Sequence, residues 1–371
     1  MTLTGTTPVQ PVVRRHSVFH RLRVASVERL TADAVAVTFD VPPALRADYA
    51  FTAGQHVNIS VPDGDGVRRS YSICSPQGSG QLRIAIKRIP AGTFSAFALG
   101  SLSPGDELDV MTPAGRFTPR LDPANAKHYV AIAAGSGITP IVSIIASILH
   151  IEPASRVTLI FANRTSQTVM FLDELADLKD SHPERLHLMH VLSREMRDTD
   201  LLSGRIDRPR LERLLATLIP PETVDEWYLC GPLELVTTAR QVLLDHGVDR
   251  THVHSELFHV GEPPTMPASV EHPAERSSDL SLVTVLLDGR QSTVELADPD
   301  ETVLEAVLRV RNDAPFACRG GVCGTCRAKL LDGKVAMERN FALEEGEVSV
   351  GYVLTCQSHP STPAVSLDYD A

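Results

Sequence analysis

Residues 318–338 read CRGGVCGTCRAKLLDGKVAME and place three cysteines within nine residues. A fourth cysteine follows 30 residues after the third. Six cysteines in 371 residues are too few for a disulfide-stapled secreted scaffold, and two of them, Cys74 and Cys230, are isolated. The four clustered cysteines are therefore predicted to be metal ligands: Cys318, Cys323, Cys326 and Cys356.

Their spacing, C-x4-C-x2-C with a distant fourth cysteine, is the one typical of plant-type 2Fe-2S sites. Two irons bridged by two sulfides need four thiolates, and the loop must bend around them while its amide N–H groups point at the negative sulfurs. Gly320, Gly321 and Gly324 allow that bending because glycine tolerates backbone angles that side chains forbid. The alternative is structural zinc, which usually takes its thiols from two close pairs.

Residues 281–371 resemble a plant-type ferredoxin, on the segments PFACRGGVCGTC, GKVAME and GYVLTCQS. The resemblance implies an α+β ferredoxin-like (β-grasp) domain and one-electron transfer. Before the cysteines, LSLVTVLLDGRQSTVEL predicts a hairpin around Asp288 and Gly289, and ETVLEAVLRVRN predicts a helix.

The chain before residue 281 divides into regions that differ in their pattern of apolar segments. Residues 18–121 contain short segments rich in Val and Ile between Gly, Pro and Asp turns, which predicts an antiparallel β-barrel. Residues 122–262 alternate apolar strands with helix-like segments, which predicts a doubly wound α/β domain whose ligand crevice lies at the carboxyl ends of parallel strands. We interpret residues 263–280 as a proline-rich linker and residues 1–17 as a flexible tail.

The net charge of −11 shows no excess of basic residues of the kind that binds nucleic acid. Residues 1–121 carry 13 Lys and Arg against 9 Asp and Glu, whereas residues 281–371 carry 8 against 14. We hypothesise that these oppositely charged regions dock electrostatically, with an attraction that salt screens.

The N-terminus lacks the apolar core of a signal peptide, so we expect a cytoplasmic protein. The uncharged stretch 129–149 is long enough for a membrane span, but its Gly-Ser-Gly and Pro140 favour a buried strand, a turn and a helix.

The segment RRSYSI, residues 68–73, resembles the flavin motif of the ferredoxin-NADP reductase superfamily. The resemblance implies that Tyr71 packs on the isoalloxazine, Ser72 lies near the reactive nitrogen, and Arg69 pairs with the pyrophosphate of FAD. Taken alone, Tyr71 is also compatible with a core aromatic. KRIPAGTFS occupies the place of the superfamily's second phosphate loop, so the flavin site is also expected to use Ile86, Lys87, Gly92, Thr93 and Ser95.

For the pyridine nucleotide, AAGSGITP follows a predicted strand and opens a helix, where glycines and free N–H groups suit a pyrophosphate. The superfamily resemblance continues in YLCGP, which would place Cys230 against the nicotinamide, although a buried cysteine is more often a small hydrophobe. This part of the site is expected to comprise Gly135, Gly137, Thr139, Pro140, Cys230, Gly231 and Pro232.

The choice between NADPH and NADH is a question of charge, because a 2′-phosphate needs cations. Arg164 follows the second strand of the α/β domain, and Ser193-Arg194 resembles the 2′-phosphate clamp of NADPH-using members, so we expect NADPH rather than NADH. The alternative is that both arginines are ordinary surface charges. In SELF, residues 255–258, the resemblance makes Glu256 and Phe258 candidates beside the flavin.

Over nearly its whole length the chain is similar to the reductase subunits of phenylacetyl-CoA epoxidases, on segments such as GQHVNIS, NRTSQTVMF and LLSGRID. The similarity implies electron transfer from NADPH through FAD and a 2Fe-2S cluster to a di-iron oxygenase, in phenylacetate catabolism. Reductases of steroid or aromatic-ring hydroxylases share this module order and remain an alternative. A redox sensor or electron carrier without turnover is a further alternative, which the intact nicotinamide motifs disfavour.

Overall fold

The computed structural model describes residues 18–60, 68–90, 92–196, 199–258, 281–298 and 300–371. The predicted tail, residues 1–17, and the predicted linker, residues 263–280, lie outside the described residues. We refer to residues 18–121 as the barrel domain, residues 122–258 as the parallel-sheet domain, and residues 281–371 as the C-terminal domain. Short 3-10 helices occur at Pro43–Leu45, Gly135–Gly137, Ser166–Thr168, Asp200–Leu202, Pro221–Thr223, Arg250–His252 and Thr355–Gln357.

The barrel domain is a six-stranded antiparallel sheet in the order β4-β3-β6-β1-β2-β5. A bridge between Ile73 and Ile84 brings the two edges together, and side chains such as Val37 and Val110 fill the interior because residues alternate in and out along each strand. The elements are β1 (Phe19–Thr31), β2 (Ala34–Asp40), β3 (His56–Ser60), β4 (Arg68–Ser72), β5 (Leu82–Lys87), α1 (Thr93–Gly100) and β6 (Glu107–Met111).

The parallel-sheet domain has the strand order β11-β10-β7-β8-β9, so the chain reverses its winding direction between β7 and β10. Such a switch point opens a crevice at the carboxyl ends of these two strands. The elements are β7 (His128–Ala134), α2 (Ile138–Ile151), β8 (Arg156–Asn163), α3 (Leu172–Ser181), β9 (Leu186–Leu192), α4 (Arg208–Leu218), β10 (Glu226–Gly231), α5 (Leu233–Asp245) and β11 (Val253–Leu257).

The apolar stretch 129–149 forms β7, the turn Gly135–Gly137 and most of α2, as the sequence predicts. Most of its side chains are buried, and those of α2 pack between the sheet and the barrel domain. Within the described ranges, no helix combines the length and the apolar character needed to cross a membrane.

The C-terminal domain has a mixed sheet, β13-β12-β18-β14-β16, in which β12 and β18 are parallel. The predicted hairpin is confirmed: Asp288 and Gly289 turn between β12 and β13 with φ of 52° and 67°. The elements are β12 (Leu282–Leu287), β13 (Arg290–Glu295), α6 (Val303–Leu308), β14 (Arg327–Asp332), β15 (Val335–Met337), α7 (Glu345–Ser349), β16 (Tyr352–Leu354), β17 (Ser358–Pro360) and β18 (Ala364–Asp368).

The barrel and parallel-sheet domains share one apolar core. Phe117 of the barrel domain packs edge-on against Tyr228, with ring centroids 5.5 Å apart. Arg83 adds a two-pronged contact to Glu174 on α3, with donor–acceptor distances of 2.7 and 3.0 Å. The C-terminal domain instead builds its own core, from residues such as Val285 and Leu367.

Candidate functional site

A cavity of about 1700 Å³ lies where the three domains meet. It is lined from all three domains, and much of its wall consists of residues predicted from the sequence. These are Arg69, Tyr71, Ser72, Lys87, Gly135, Thr139, Arg164, Ser193, Pro232, Glu256, Phe258, Cys318 and Cys323. The fold thus brings the predicted flavin, nucleotide and cluster residues to one space.

The barrel wall of the cavity centres on Tyr71 and Ser72 at the end of β4. The ring of Tyr71 packs 5.5 Å from that of Phe94, and burial raises the pKa of its hydroxyl, so it stays neutral. The hydroxyl of Ser72 donates to Glu256 Oε2 at 3.3 Å. Burial raises the pKa of Glu256 to about 7, partly opposed by this hydrogen bond. The cavity therefore holds a carboxyl group that titrates near neutral pH.

Cations line the barrel side of the cavity. Arg69 and Lys87, both named from the sequence as flavin-site candidates, line it, and so do Arg68 and Arg88, which were not among the predicted residues. Lys87 Nζ lies 3.5 Å from Asp33 Oδ1. A set of cations beside a buried tyrosine suits a flavin with its anionic pyrophosphate.

The loop before α1 uses its predicted residues differently. Gly92 is the N-cap of α1 and Thr93 its first residue, beside the cavity-lining Ile89. The Ser95 side chain is buried: its hydroxyl accepts from Ile89 N at 3.0 Å and donates to the Gly92 carbonyl at 3.1 Å. The structure thus gives the Ser95 hydroxyl a role inside the loop, rather than an orientation toward the cavity.

Ile86 lies between the cavity-lining Ala85 and Lys87, but its own side chain is fully buried in the barrel core. Successive residues of a strand point to opposite faces, so three consecutive residues of β5 cannot all face the cavity. The Ile86 side chain is therefore not part of the cavity wall, and the assignment of Ile86 to the flavin site stays a prediction.

The turn after β7 forms the nucleotide end of the crevice. Gly135 has φ of +54° and lines the cavity, and Thr139 Oγ1 donates to the Ser136 carbonyl at 3.0 Å. At Gly137 a Cβ atom would lie 2.3 Å from the carbonyl oxygen of Cys230. Only glycine allows this contact between the turn and β10. Pro140 is buried in the first turn of α2.

Cys230 itself is fully buried and does not line the cavity, whereas Pro232, two residues further on, does. Gly231 is buried between them and accepts a hydrogen bond from Phe258 N at 2.9 Å. Cys230 pairs in register with Glu256 of β11; burial and this neighbouring carboxylate raise the pKa of the thiol. The geometry favours the alternative of a small neutral core residue that backs the cavity wall.

The far end of the crevice carries two cationic side chains. Arg164 and Ser193 line it as predicted, but Arg194 is exposed and lies outside the wall, with its amide donating to the Arg164 carbonyl at 2.8 Å. Arg205 lines the cavity instead, and sequence reasoning missed it. The signal was present in LLSGRID: the arginine follows Gly204, which has φ of +109°.

Arg210 holds this arginine loop in place. Its Nε donates to the Arg205 carbonyl at 2.9 Å and its Nη1 to the Leu201 carbonyl at 3.0 Å. A Cβ atom at Gly204 would lie 2.7 Å from the Arg210 guanidinium. The backbone of Arg205 is thus fixed by hydrogen bonds at the wall of the crevice.

The four cysteines meet as two pairs. Cys318 hydrogen-bonds with Cys323, and Cys326 with Cys356; the hydrogen bond from the partner thiol lowers the pKa of Cys318 and of Cys356. The amides of Gly320 and Cys323 both approach Cys318 Sγ at 3.4 Å. Two thiol pairs with amide donors suit two irons that take two thiolates each.

Hydrogen bonds hold Cys356, the distant fourth cysteine, against the loop that carries the other three. Thr355 N donates to the Cys326 carbonyl at 3.1 Å, and Gln357 Nε2 donates to the Arg319 carbonyl at 2.9 Å. Among the residues that the structure covers, no three His, Cys, Asp or Glu side chains converge as ligands of one ion, so the pairs are the arrangement present.

The exposed pair of cysteines faces the cavity. Cys318 is exposed and Cys323 half-buried, and both line the cavity, while the other pair is buried. Between the pairs, Thr325 Oγ1 lies 3.4 Å from Nε2 of His56, a buried barrel residue that sequence reasoning missed. His56 Nδ1 is 4.0 Å from Glu256 Oε1, and burial lowers the pKa of His56 to about 4, so the ring is neutral at pH 7.

Three family models match the chain in the order of the domains. An oxidoreductase FAD-binding domain matches residues 21–118, an oxidoreductase NAD-binding domain residues 131–241, and a 2Fe-2S iron-sulfur cluster binding domain residues 285–361. The predicted cofactors FAD, NAD(P)H and a 2Fe-2S cluster are confirmed, and the residues of the cavity and the paired cysteines fit them.

Two characterised proteins are similar over almost their whole length. One component of the 1,2-phenylacetyl-CoA epoxidase of Escherichia coli (strain K12) is 45% identical over 354 residues, which cover 95% of this chain and 98% of that protein. The chain belongs to the same family of oxygenase reductases. The ferredoxin reductase component of a 3-ketosteroid-9-alpha-monooxygenase from Rhodococcus rhodochrous is also a member, 34% identical over 94% of this chain and 96% of its own. This family assignment makes the protein an oxidoreductase.

Solved structures agree on the architecture. Full-length CYP116B46 from Tepidiphilus thermophilus superposes with a TM-score of 0.64 at 27% identity, covering 99% of this chain and 44% of that one. Phthalate dioxygenase reductase superposes with a TM-score of 0.56 at 24% identity, covering 94% and 98%. These likenesses confirm the predicted fold: an antiparallel barrel, a parallel sheet and a ferredoxin-like domain.

Proposed function

We propose that this oxidoreductase takes electrons from NADPH and delivers them through its C-terminal cluster to a di-iron oxygenase of the phenylacetyl-CoA epoxidase type. The observation that carries the proposal is the single cavity into which the barrel wall, the nucleotide crevice and the pair Cys318 and Cys323 all open. The 45% identity to a component of a phenylacetyl-CoA epoxidase supports the choice of partner.

In this proposal the chain's own residues bind and orient. Tyr71 packs against the flavin ring, Arg69 and Lys87 neutralise its phosphates, and the turn Gly135–Gly137 receives the nucleotide pyrophosphate. A bound FAD would supply the conversion of a two-electron hydride from NADPH into single electrons for a 2Fe-2S cluster, with the release of one proton. Phe258 and Pro232 complete an apolar wall that limits the access of water.

Glu256 is suited to hold a proton at this place. Its pKa of about 7 lets Oε2 exist in either state at physiological pH, and Ser72 is positioned to bond it in both. The Ser72 hydroxyl, which donates to Glu256 Oε2, would relay a proton released in the cavity to the Glu256 carboxylate. Neutral His56, on the other side of Glu256, keeps the carboxyl from forming an ion pair there.

We further propose that Arg164 and Arg205 recognise the 2′-phosphate, with Ser193 as a hydroxyl donor and Arg194 as an outer contribution. The support is the position of Arg164, Arg205 and Ser193 on the crevice wall. We expect Arg164→Ala and Arg205→Ala each to raise the KM for NADPH at least tenfold and that for NADH less than twofold. Arg194→Ala, the matched exposed control, should have a smaller effect. Equal changes for both nucleotides would contradict the assignment.

The partner is tested by a coupled assay. The purified holoprotein, NADPH and the oxygenase subunits of a phenylacetyl-CoA epoxidase should consume NADPH and phenylacetyl-CoA in equal amounts. The oxygenase component of a 3-ketosteroid-9-alpha-monooxygenase is the second candidate, favoured by the 34% identity. Turnover with the steroid enzyme alone would transfer the proposal to that partner. Failure to reduce even ferricyanide with NADPH would instead favour a redox sensor.

A further inference from the structure

The barrel and C-terminal domains meet at Arg68, the neighbour of the proposed flavin-binding Arg69. Arg68 Nη1 donates to the Ala314 carbonyl and its Nη2 to the Asn312 carbonyl, both at 3.2 Å. The two acceptors lie in the segment that leads directly to Cys318. One planar guanidinium thus grips the backbone just before the cysteine loop.

The same guanidinium lies between aromatic rings of both domains. Its central carbon is 4.7 Å from the ring centroid of Phe19 in β1 and 4.3 Å from that of Phe316 in the C-terminal domain. Cations over aromatic faces are attracted by the ring quadrupole, and partial burial strengthens the effect. Arg68 is half-buried, so its contacts are partly shielded from salt.

Among the residues that the structure describes, two charge pairs join the C-terminal domain to the other domains, and they differ from the Arg68 contact. Arg116 of the barrel domain pairs with Glu347, and Arg250 of the parallel-sheet domain pairs with Glu345 at 2.7 Å. The Arg116 and Glu345 side chains are 66% and 86% exposed, so water and salt weaken both pairs. Arg68 alone combines hydrogen bonds, ring contacts and burial among these three arginines.

We propose that Arg68 is the docking residue that holds the C-terminal domain with its cysteine loop against the cavity. The same docked position places Thr325 beside His56 and turns the exposed pair Cys318 and Cys323 toward the cavity. Arg68 also lines the cavity. The docking role proposed here is that of a positioning residue, and it acts through the contacts of Arg68 with the segment 312–316. The inference rests on the proposed function only in the test that measures rates of electron transfer.

The first test is hydrogen–deuterium exchange of the holoprotein. Arg68→Ala should speed exchange of the amides in 312–326 at least fivefold and leave those of β12 unchanged, which shows that the C-terminal domain stays folded. Arg46→Ala removes the same charge from an exposed site of the barrel domain and should exchange as the wild type does. Unchanged exchange of 312–326 in Arg68→Ala would overturn the proposal.

The second test separates two electron-transfer steps by stopped-flow absorbance after mixing with NADPH. Because Arg68 also lines the cavity, the two steps are compared within one variant: Arg68→Ala should slow cluster reduction at least tenfold more than it slows flavin reduction. Arg68→Lys should resemble Arg68→Ala, because a lysine ammonium cannot bond two carbonyls and stack between two rings. Wild-type cluster reduction in Arg68→Lys, or equal slowing of both steps in Arg68→Ala, would refute the docking role. The exchange test needs no nucleotide or acceptor, so its result is independent of the proposed function.

Discussion

The barrel domain has two interfaces, and they differ in the chemical groups that they bring into contact. Toward the parallel-sheet domain it shares a continuous apolar core, with Phe117 packed on Tyr228 and Ala53 buried in the same cluster. Toward the C-terminal domain it offers cations, which meet carbonyls, rings and carboxylates. Apolar cores separate at a high cost in free energy, whereas polar interfaces of modest size open readily.

This difference matches the two tasks of an oxygenase reductase. Hydride transfer requires a fixed distance between nucleotide and flavin, which a shared core maintains. Delivery to a second protein requires that the cluster be reachable from outside, and in the docked position its exposed cysteine pair faces the cavity. We expect the polar interface to open reversibly, so that the C-terminal domain can leave the cavity and reach an acceptor protein.

The largest effect is expected from loss of the cluster, which would receive electrons across the interface between the barrel and C-terminal domains. Cys323→Ser deletes one cluster ligand, so NADPH-driven cytochrome c reduction should fall about 100-fold or more, while ferricyanide reduction at the flavin persists. The visible spectrum should lose its iron-sulfur bands and retain those of the flavin. Parallel loss of both activities would mean that the two interfaces are not independent.

A smaller effect, a loss of stability, is expected from disturbing the core that the barrel and parallel-sheet domains share. Gly54 has φ of +89°, and a Cβ atom there would lie 1.9 Å from the Phe117 carbonyl oxygen of the same domain and 3.1 Å from Cδ1 of Ile144 on α2, across the shared core. Gly78 has φ of +79° with nothing within 4 Å, so it is a control matched for backbone strain. Gly54→Ala should cost about 1–3 kcal/mol more stability than Gly78→Ala, measured by calorimetry. Equal losses would show that the contact is not tight.

Glu256 lies where both interfaces approach each other, and its titration gives a third measurement. Its pKa is raised from 4.5 to about 7, so the folded protein binds the proton more tightly than the unfolded chain does. The resulting stability is complete below about pH 4.5 and is lost as the pH rises through 7. Glu256→Gln should remove this dependence and become more stable than the wild type by about 1–2 kcal/mol at pH 8. Identical pH profiles of melting temperature would contradict the assignment.

The smallest effect belongs to the exposed charges of the reversible interface. Glu345→Gln removes a pair whose carboxylate is 86% exposed, so cluster reduction should slow less than twofold in dilute buffer. In about 0.5 M salt, where the Debye length falls to about 4 Å, it should not slow at all. Stopped-flow rates at the two salt concentrations test this. A strong effect that salt abolishes would support docking by net charge, which we hypothesised from the composition, over docking by Arg68.

Much of the site could be predicted because its signals are local. The cysteine spacing, the RRSYSI strand and the AAGSGITP turn each lie within one short segment, and each contributes residues to the cavity wall as expected. Other predicted residues lie inside the same kind of motif but do not line the cavity, among them Ile86, Cys230 and Arg194. The Ile86 side chain is buried in the barrel core because a strand alternates its faces, and Cys230 is buried because β10 is covered on both sides. Their roles in cofactor binding stay predictions.

The order of the three domains, the cysteines proposed as cluster ligands and the glycine turns could all be inferred from the sequence alone, since each depends on residue types at short, fixed spacings. Only the tertiary structure decided which cations face the cavity, that His56 meets Thr325, and that Arg68 grips a segment 244–246 residues away. Contacts between residues so far apart in the chain depend on how separately folded domains pack. No local pattern of residues encodes that packing.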